Sequence, residues 1–206
     1  MLGGTALGPG QSRIRDSPSV WMAVTLIIVY VIFGVLGGDL VNLNVLVALP
    51  FVQVNELVWM GLVWMLFTAM FLHLNLVHLF GNVLFLLIFG TSLEEQVSRT
   101  RWLITYFASG LAGNLAFLFI GPLLDQEVAL GASGAVYGLL GAAGGARGAF
   151  VMFFFLGLNI FAGGGFLAHL GGLLVGLAFR QWWDELAGLI GTSSPRSSEL
   201  SQWPED

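Results

Sequence analysis

The chain has 206 residues, of which 57% are apolar and only 9% are charged. A typical soluble domain carries roughly 25% charged residues, so this composition excludes an ordinary water-soluble domain and indicates that lipid is the main solvent. The formal net charge of −5 therefore says little about partners, and we expect no nucleic acid among them. Because cysteine is absent, a disulfide framework and a thiolate metal site are both excluded.

Apolar runs long enough for membrane helices follow one another along the chain. A helix needs about 20 apolar residues to cross a ~30 Å hydrocarbon core, and shorter ones are tolerated inside a bundle. The six candidate spans are residues 19–37, 75–93, 102–120, 132–147, 149–162 and 166–183. The first follows Arg13 and Arg15 but lacks a clear small-residue cleavage site, which favours a retained span over a removed signal peptide. The sequence thus predicts an all-α, polytopic bundle of six transmembrane helices over 19–183, flanked by cytoplasmic tails at 1–18 and 184–206.

The apolar stretch 57–72 could be a further span, but two observations count against it. Only residues 73–75 would remain to reverse the chain before the second span, and they include neither Gly nor Pro. With six spans and a cytoplasmic N-terminus, moreover, all arginines fall on the cytoplasmic side, as the positive-inside rule predicts. These are Arg13, Arg15, Arg99, Arg101, Arg147, Arg180 and Arg196. We therefore expect 57–72 to belong to an outer loop, with Trp59 and Trp64 in the membrane interface.

Four polar side chains are predicted to lie at nearly one depth, just below the outer surface. His78 and Asn82 are spaced i, i+4 on the second span, Ser133 opens the fourth and His169 lies near the start of the sixth. An ionisable side chain at membrane depth costs from ~2.5 to over 10 kcal/mol, so it indicates a functional site. A serine paired with a histidine suggests nucleophilic hydrolysis within the bilayer.

The surroundings of the serine and histidine favour a dyad over a triad. Glycines on the fourth and sixth spans permit close approach of the two helices, which could bring Ser133 to hydrogen-bonding distance of His169. No carboxylate is placed to orient His169, although Tyr137, one turn below Ser133, could hold the imidazole by stacking.

His73 and His78 are five residues apart and point about 140° away from each other on a helix, so a zinc site is not expected. We expect Glu94 to be solvated or paired with a nearby arginine, and Asn114 to bond a neighbouring helix.

Four motifs, in order, resemble those of the rhomboid family of intramembrane serine proteases. They are 67–82, which contains His73, His78 and Asn82; Phe89-Gly90 with Glu94-Glu95; 131–138, which begins Gly131-Ala132-Ser133-Gly134; and Ala168-His169-Leu170-Gly171-Gly172. The resemblance implies that Ser133 is the nucleophile and His169 its general base. It further implies an oxyanion hole formed by His78, Asn82 and the Ser133 amide, with Tyr137, Gly131 and His73 in supporting roles.

The resemblance also implies a function: cleavage of single-pass or polytopic membrane proteins in or near their transmembrane helices, without cofactor or metal. The active site would face the outer side of the bilayer, and compactness favours a prokaryotic plasma membrane. Two features depart from the family pattern: Met65 follows Trp64 where the family often has arginine, and the fifth span is short. The alternatives are a non-catalytic relative that binds transmembrane clients and, more distantly, a small transporter or proton channel, which would be expected to use mid-span carboxylates.

Overall fold

The computed structural model describes residues 16–144 and 165–189 as a mainly helical chain. Its elements in order are α1 (Pro18–Gly37), α2 (Val45–Ala48), β1 (Gln53–Val54), α3 (Asn55–Trp59), α4 (Met65–Thr68), α5 (Leu76–Glu94), α6 (Arg99–Ile120), β2 (Val128–Ala129), α7 (133–144) and α8 (Phe166–Leu189). Three of these are long and apolar enough to cross a membrane: α1, α5, and α6 with its continuation to Leu124. Helix α7 covers residues 133–144 of the predicted span 132–147, and α8 covers the predicted span 166–183 and continues to Leu189, whereas the predicted span 149–162 lies outside the described residues.

Polar residues set where the three long helices begin. Ser17, Asn75 and Ser98 each accept a hydrogen bond from a backbone N–H of the first turn of α1, α5 and α6, respectively. Such caps satisfy donors that have no partner within the helix. The start of α5 is thereby fixed at Leu76, which places His78 in its first turn.

Residues 57–72 do not form a membrane-length helix, which confirms that they are not a further span; their position on the outer side stays a prediction. They fold instead into α3, α4 and a 3₁₀ turn, Ala69–Phe71. Met65 is fully buried and packs with Val58 and Leu118 beneath this loop. An apolar side chain suits that position, which explains why methionine is accommodated beside the exposed Trp64.

A small β-ribbon departs from the all-α prediction. Antiparallel β1 and β2 pair Gln53 with Ala129 and Val54 with Val128. Two-residue strands leave almost no alternating pattern, so the sequence alone gave no reason to expect them. The ribbon joins the loop after α1 to the segment that precedes α7 through the pairing of Gln53–Val54 with Val128–Ala129.

Glycines bring α7 and α8 into backbone contact. A Cβ atom added at Gly172 would overlap the Gly134 carbonyl oxygen, and one added at Gly176 would overlap that of Gly138. Helix α8 also packs extensively against α6. This small-residue crossing, predicted from the sequence, lets the start of α7 lie close to the start of α8.

The arginines described by the structure gather at the other end of the bundle. Arg180 Nη1 donates to Gln96 Oε1 at 2.6 Å and to the carbonyls of Ala142 and Ala143 at 3.2 and 3.1 Å, near the end of α7. The guanidinium of Arg101 lies 4.8 Å above the ring of Trp183. A basic group at a helix C-terminus is favourable because carbonyls there lack partners within the helix.

Glu94 does not behave as the sequence led us to expect. Its Oε1 accepts from Ser17 Oγ and from the Ser19 amide, both at 2.8 Å. The carboxylate therefore binds the N-terminus of α1 and joins it to the end of α5, where the positive end of the helix dipole favours it. Arginines lie closer to Glu94 along the chain, but the residues that Glu94 bonds, Ser17 and Ser19, come from a distant segment.

Candidate active site

All the predicted site residues except His73 line a cavity of about 550 Å³ at the end of the bundle where α5, α7 and α8 begin. His78 and Asn82 reach it from α5, Ser133 and Tyr137 from α7, and His169 from α8. Residues of β2 and the adjoining segment, with Asn114 and Phe117 of α6, complete much of the wall. The tertiary structure thus brings together residues that lie 91 positions apart in the chain, from 78 to 169.

Ser133 is the first helical residue of α7. The segment before it is held by a hydrogen bond of 2.9 Å from the Gly131 amide to the Ala69 carbonyl, and Gly131 has a φ of 127° that L-residues rarely adopt. Amides in the first turn of a helix lack intrahelical partners and carry the positive end of its dipole. The position therefore favours negative charge developing beside the Ser133 side chain.

His169 lies in the first turn of α8 and is 8% exposed. Its imidazole stacks on the Tyr137 ring with 4.3 Å between centroids and 3° between planes. Nδ1 is buried and has no hydrogen-bond partner among residues 16–144 and 165–189. Stacking, and not a carboxylate of the described chain, therefore orients this ring. A hydrogen bond between Ser133 and His169 stays a prediction.

One hydrogen bond holds the backbone of His78, and a second orients its ring. Its amide donates to Asn75 Oδ1 at 2.8 Å, and its Nδ1 accepts from the Leu74 amide at 3.4 Å. Because a neutral imidazole carries one proton, an accepting Nδ1 leaves that proton on Nε2. A methyl group built on Gly131 would lie 3.0 Å from His78 Nε2 and 3.7 Å from Ser133 Oγ, so the N–H points into the region next to the serine.

Asn82 lies one turn further along α5 and is 7% exposed. Its side-chain amide donates to the His78 carbonyl at 2.9 Å, which uses one of its two N–H bonds. The second N–H is available to an acceptor in the cavity. His78 and Asn82 together provide side-chain N–H donors from one face of α5.

His73 does not line the cavity but lies behind His78. It is fully buried, and its ring meets that of His78 edge to face, with 5.1 Å between centroids. Burial, with a smaller effect of His78, lowers the pKa of His73 to about 3, so its ring is neutral at pH 7. It supports the His78 ring by packing.

Asn114 behaves as expected, whereas Gly165 shows what reasoning from the sequence missed. Asn114 Nδ2 donates to the Leu66 carbonyl of the short helix α4 at 2.7 Å, which is the expected hydrogen bond to a neighbouring helix. Gly165 has a φ of 73°, and a Cβ there would approach His169 Nε2 to 3.0 Å. The glycine run before α8 was visible in the sequence, but the contact that requires glycine was not.

A family comparison agrees with this arrangement: residues 60–145 match the model of the Rhomboid domain. Over this segment the chain is similar to the rhomboid family. The matched segment holds His73, His78, Asn82, Ser133 and Tyr137, whereas His169 lies beyond its end. Together with the apolar helices, this similarity indicates an integral membrane protein.

Curated relatives support the same family. The chain is 33% identical over 133 residues to Rhomboid-like protease 3 of Toxoplasma gondii, with 61% of this chain and 47% of the relative covered. It is 34% identical over 116 residues to Rhomboid protease GluP of Bacillus subtilis, covering 56% and 22%. It is 42% identical over 80 residues to RHOMBOID-like protein 6, mitochondrial, of Arabidopsis thaliana, covering 38% and 25%. The chain spans less than half the length of each of these relatives, and the resemblance predicted from its motifs is confirmed.

Proposed function

We propose that this rhomboid protein is an intramembrane serine endopeptidase that hydrolyses peptide bonds in or near the transmembrane helices of other membrane proteins. The observation that carries the proposal is the convergence of Ser133, His169, His78 and Asn82 on one cavity. Two of the relatives are named as rhomboid proteases, which favours the same activity here.

The proposed reaction begins at Ser133. Its Oγ attacks the scissile carbonyl carbon while its proton passes to His169 Nε2, because Nδ1 of the same ring is buried away from the cavity. The imidazolium then gives that proton to the leaving amine as the C–N bond breaks. Water, deprotonated by the same histidine, hydrolyses the acyl-enzyme and restores the Ser133 hydroxyl.

Three N–H groups would stabilise the oxyanion of each tetrahedral intermediate. They are His78 Nε2–H, the second N–H of the Asn82 side chain and the Ser133 backbone amide. The Leu74 hydrogen bond keeps His78 in the tautomer that donates. Donors fixed before reaction are effective because no reorganisation is needed as charge develops, and each is worth about 10²–10³ in rate.

The position of the cavity suggests the orientation and the kind of substrate. Arg101 and Arg180 lie at the opposite end of the bundle, so an outward-facing cavity satisfies the positive-inside rule. A helical carbonyl is already hydrogen-bonded, so the substrate must unwind before Ser133 can attack. We expect substrates with weak helical propensity at the cut.

The test uses the full chain in proteoliposomes with a panel of tagged transmembrane substrates, and products are identified by mass spectrometry. Ser133→Ala and His169→Ala should each lower cleavage about 1,000-fold or more. Ser109→Ala is the matched control, since this buried serine of α6 does not line the cavity.

Reaction with a fluorophosphonate probe separates a protease from a client-binding relative. The probe should label the unsubstituted protein and the Ser109→Ala variant, and not Ser133→Ala. Labelling or cleavage that persists in Ser133→Ala would remove the assigned nucleophile. A protein that binds substrates but neither cleaves them nor reacts with the probe would be the non-catalytic binder.

A further inference from the structure

The segment between α1 and α2 lies against the start of α5. Residues 39–43, which we call the Asp39 turn, run antiparallel to residues 74–76, and an isolated β-bridge joins the middle of the two segments. Two backbone hydrogen bonds flank the bridge: from the Leu43 amide to the Leu74 carbonyl at 2.8 Å, and from the Leu76 amide to the Val41 carbonyl at 3.0 Å. The Asp39 turn therefore holds the backbone that leads into α5.

The carboxylate of Asp39 gives the turn its shape. Its Oδ1 accepts from the Val41 amide at 2.7 Å and from the Asn42 amide at 3.1 Å. An aspartate that accepts from amides two and three residues ahead bends the chain, and hydrogen bonds to a charged oxygen are strong. The hydroxyl of Tyr30 on α1 supports the same turn by donating to the Val41 carbonyl at 2.9 Å. Because Asp39 is exposed, it contributes through these hydrogen bonds and not through packing.

The Asp39 turn is connected to the ring of His78 through Leu74. The carbonyl of Leu74 is held by the turn, and its amide donates to His78 Nδ1 at 3.4 Å. In the part of the chain that the structure describes, this amide is the only hydrogen-bond partner of the His78 ring. Its length is near the upper limit for a hydrogen bond, so a shift of a few tenths of an ångström in the Leu74 backbone would break it.

We propose that Asp39 is a positioning residue for the proposed oxyanion hole. By shaping the turn that holds Leu74, its carboxylate keeps the Leu74 amide on His78 Nδ1 and so keeps the ring proton on Nε2. If the proton moved to Nδ1, Nε2 would present a lone pair to the oxyanion and repel it. The inference rests on the proposed proteolytic function, but the tautomer of His78 can be measured without a substrate.

Variants of the full chain separate this role from a general effect of charge or folding. Asp39→Ala removes the acceptor of both hydrogen bonds, whereas Asp39→Asn keeps an acceptor oxygen at the same place. Tyr30→Phe removes only the hydroxyl that holds the Val41 carbonyl. Glu56→Ala is the matched control, because Glu56 is an exposed acid of the first loop that does not line the cavity. Thermal unfolding is measured on every variant.

The tautomer is measured by 15N NMR of histidine-labelled protein in detergent micelles. The chain has three histidines, and a sample of His78→Asn identifies the His78 signals by their loss. A neutral ring in one tautomer gives well-separated signals for its protonated and unprotonated nitrogens. We expect this separation in the unsubstituted chain, in Asp39→Asn and in Glu56→Ala. In Asp39→Ala, and less strongly in Tyr30→Phe, the two signals should move towards each other as the other tautomer becomes populated.

Cleavage of a transmembrane substrate in proteoliposomes gives the second measurement. Asp39→Ala should lower kcat about tenfold and leave KM nearly unchanged, because an oxyanion donor acts only in the transition state. Tyr30→Phe should lower kcat by less, in the same direction. Asp39→Asn should restore most of the activity, and Glu56→Ala should resemble the unsubstituted chain.

Unchanged His78 signals in both Asp39→Ala and Tyr30→Phe would overturn the inference, as would a loss of kcat that Asp39→Asn shares. An Asp39→Ala variant that unfolds at a lower temperature but keeps its kcat would make Asp39 a structural turn residue only. If Asp39→Ala does not fold, Tyr30→Phe decides. If the unsubstituted chain shows no Ser133-dependent cleavage, the proposed function fails, while the NMR spectra still decide whether the Asp39 turn sets the tautomer.

Discussion

Replacing Gly131 by alanine should separate backbone strain from damage to the proposed oxyanion hole. Gly131 has a φ of 127°, and a Cβ there would lie 2.9 and 3.0 Å from two atoms of the His78 ring. Carbon atoms in ordinary contact are about 3.5–4.0 Å apart. The imidazole must therefore move by about 0.5–1 Å, since the backbone around Gly131 is held by its hydrogen bond to Ala69.

The expected magnitudes follow from these two effects. An L-residue in a sparsely populated backbone region costs about 1–3 kcal/mol of folding stability. A displacement of about 1 Å in a catalytic group costs about 100-fold in rate. Gly131→Ala should thus lower the free energy of unfolding by about 1–3 kcal/mol and kcat/KM by about 100-fold.

Gly61→Ala is the matched control, because Gly61 has a φ of 108° and its Cβ would meet no described atom within 4 Å. It lies in the first loop and does not line the cavity. Denaturation in detergent and cleavage in proteoliposomes are measured on both variants. If Gly131→Ala loses no more activity than Gly61→Ala, contact with His78 does not control the reaction, and the reasoning is refuted.

Three further predictions test packing, stacking and charge. Gly172→Ala should lower the free energy of unfolding by about 1–3 kcal/mol, because its Cβ overlaps the Gly134 carbonyl; an unchanged unfolding midpoint would contradict the close helix crossing. Tyr137→Leu should reduce kcat/KM about tenfold through loss of the stack on His169, whereas Tyr137→Phe should retain most activity; equal losses would assign the effect to the hydroxyl. Because the pKa of His73 is lowered to about 3 in the folded state, the unfolded state binds the proton first as the pH falls below 6.5. Stability should therefore decrease as the pH falls from 6.5 to 5, by up to about 1.4 kcal/mol per pH unit from this group, and denaturation of His73→Phe should show a correspondingly smaller slope.

The helices and the motif residues were predictable because their signals are local. Runs such as 19–37 and 102–120 are apolar over a membrane thickness, and α1 and α6 follow them closely. Ser17, Asn75 and Ser98 act as caps through side chains that contact the next turn. The small-xxx-small spacing of Gly172 and Gly176 likewise predicted a close crossing before its partners were known.

Contacts between distant segments were not predictable in the same way. The pairing of Gln53 with Ala129 depends on how the first loop folds back, and two residues per strand carry no periodic signal. Glu94 finds Ser17 and Ser19 because α1 packs on α5, although arginines lie closer along the chain. Such partners are determined by helix packing and not by spacing in the sequence.

The sequence by itself determined that this chain is a membrane protein, which residues could react and which family it resembles, because hydropathy and short motifs are properties of neighbouring residues. The tertiary structure decided that His169 stacks on Tyr137 and that the Leu74 amide orients His78. Those facts depend on how helices cross and on which side chains meet in the resulting space. They exist only once the chain has folded.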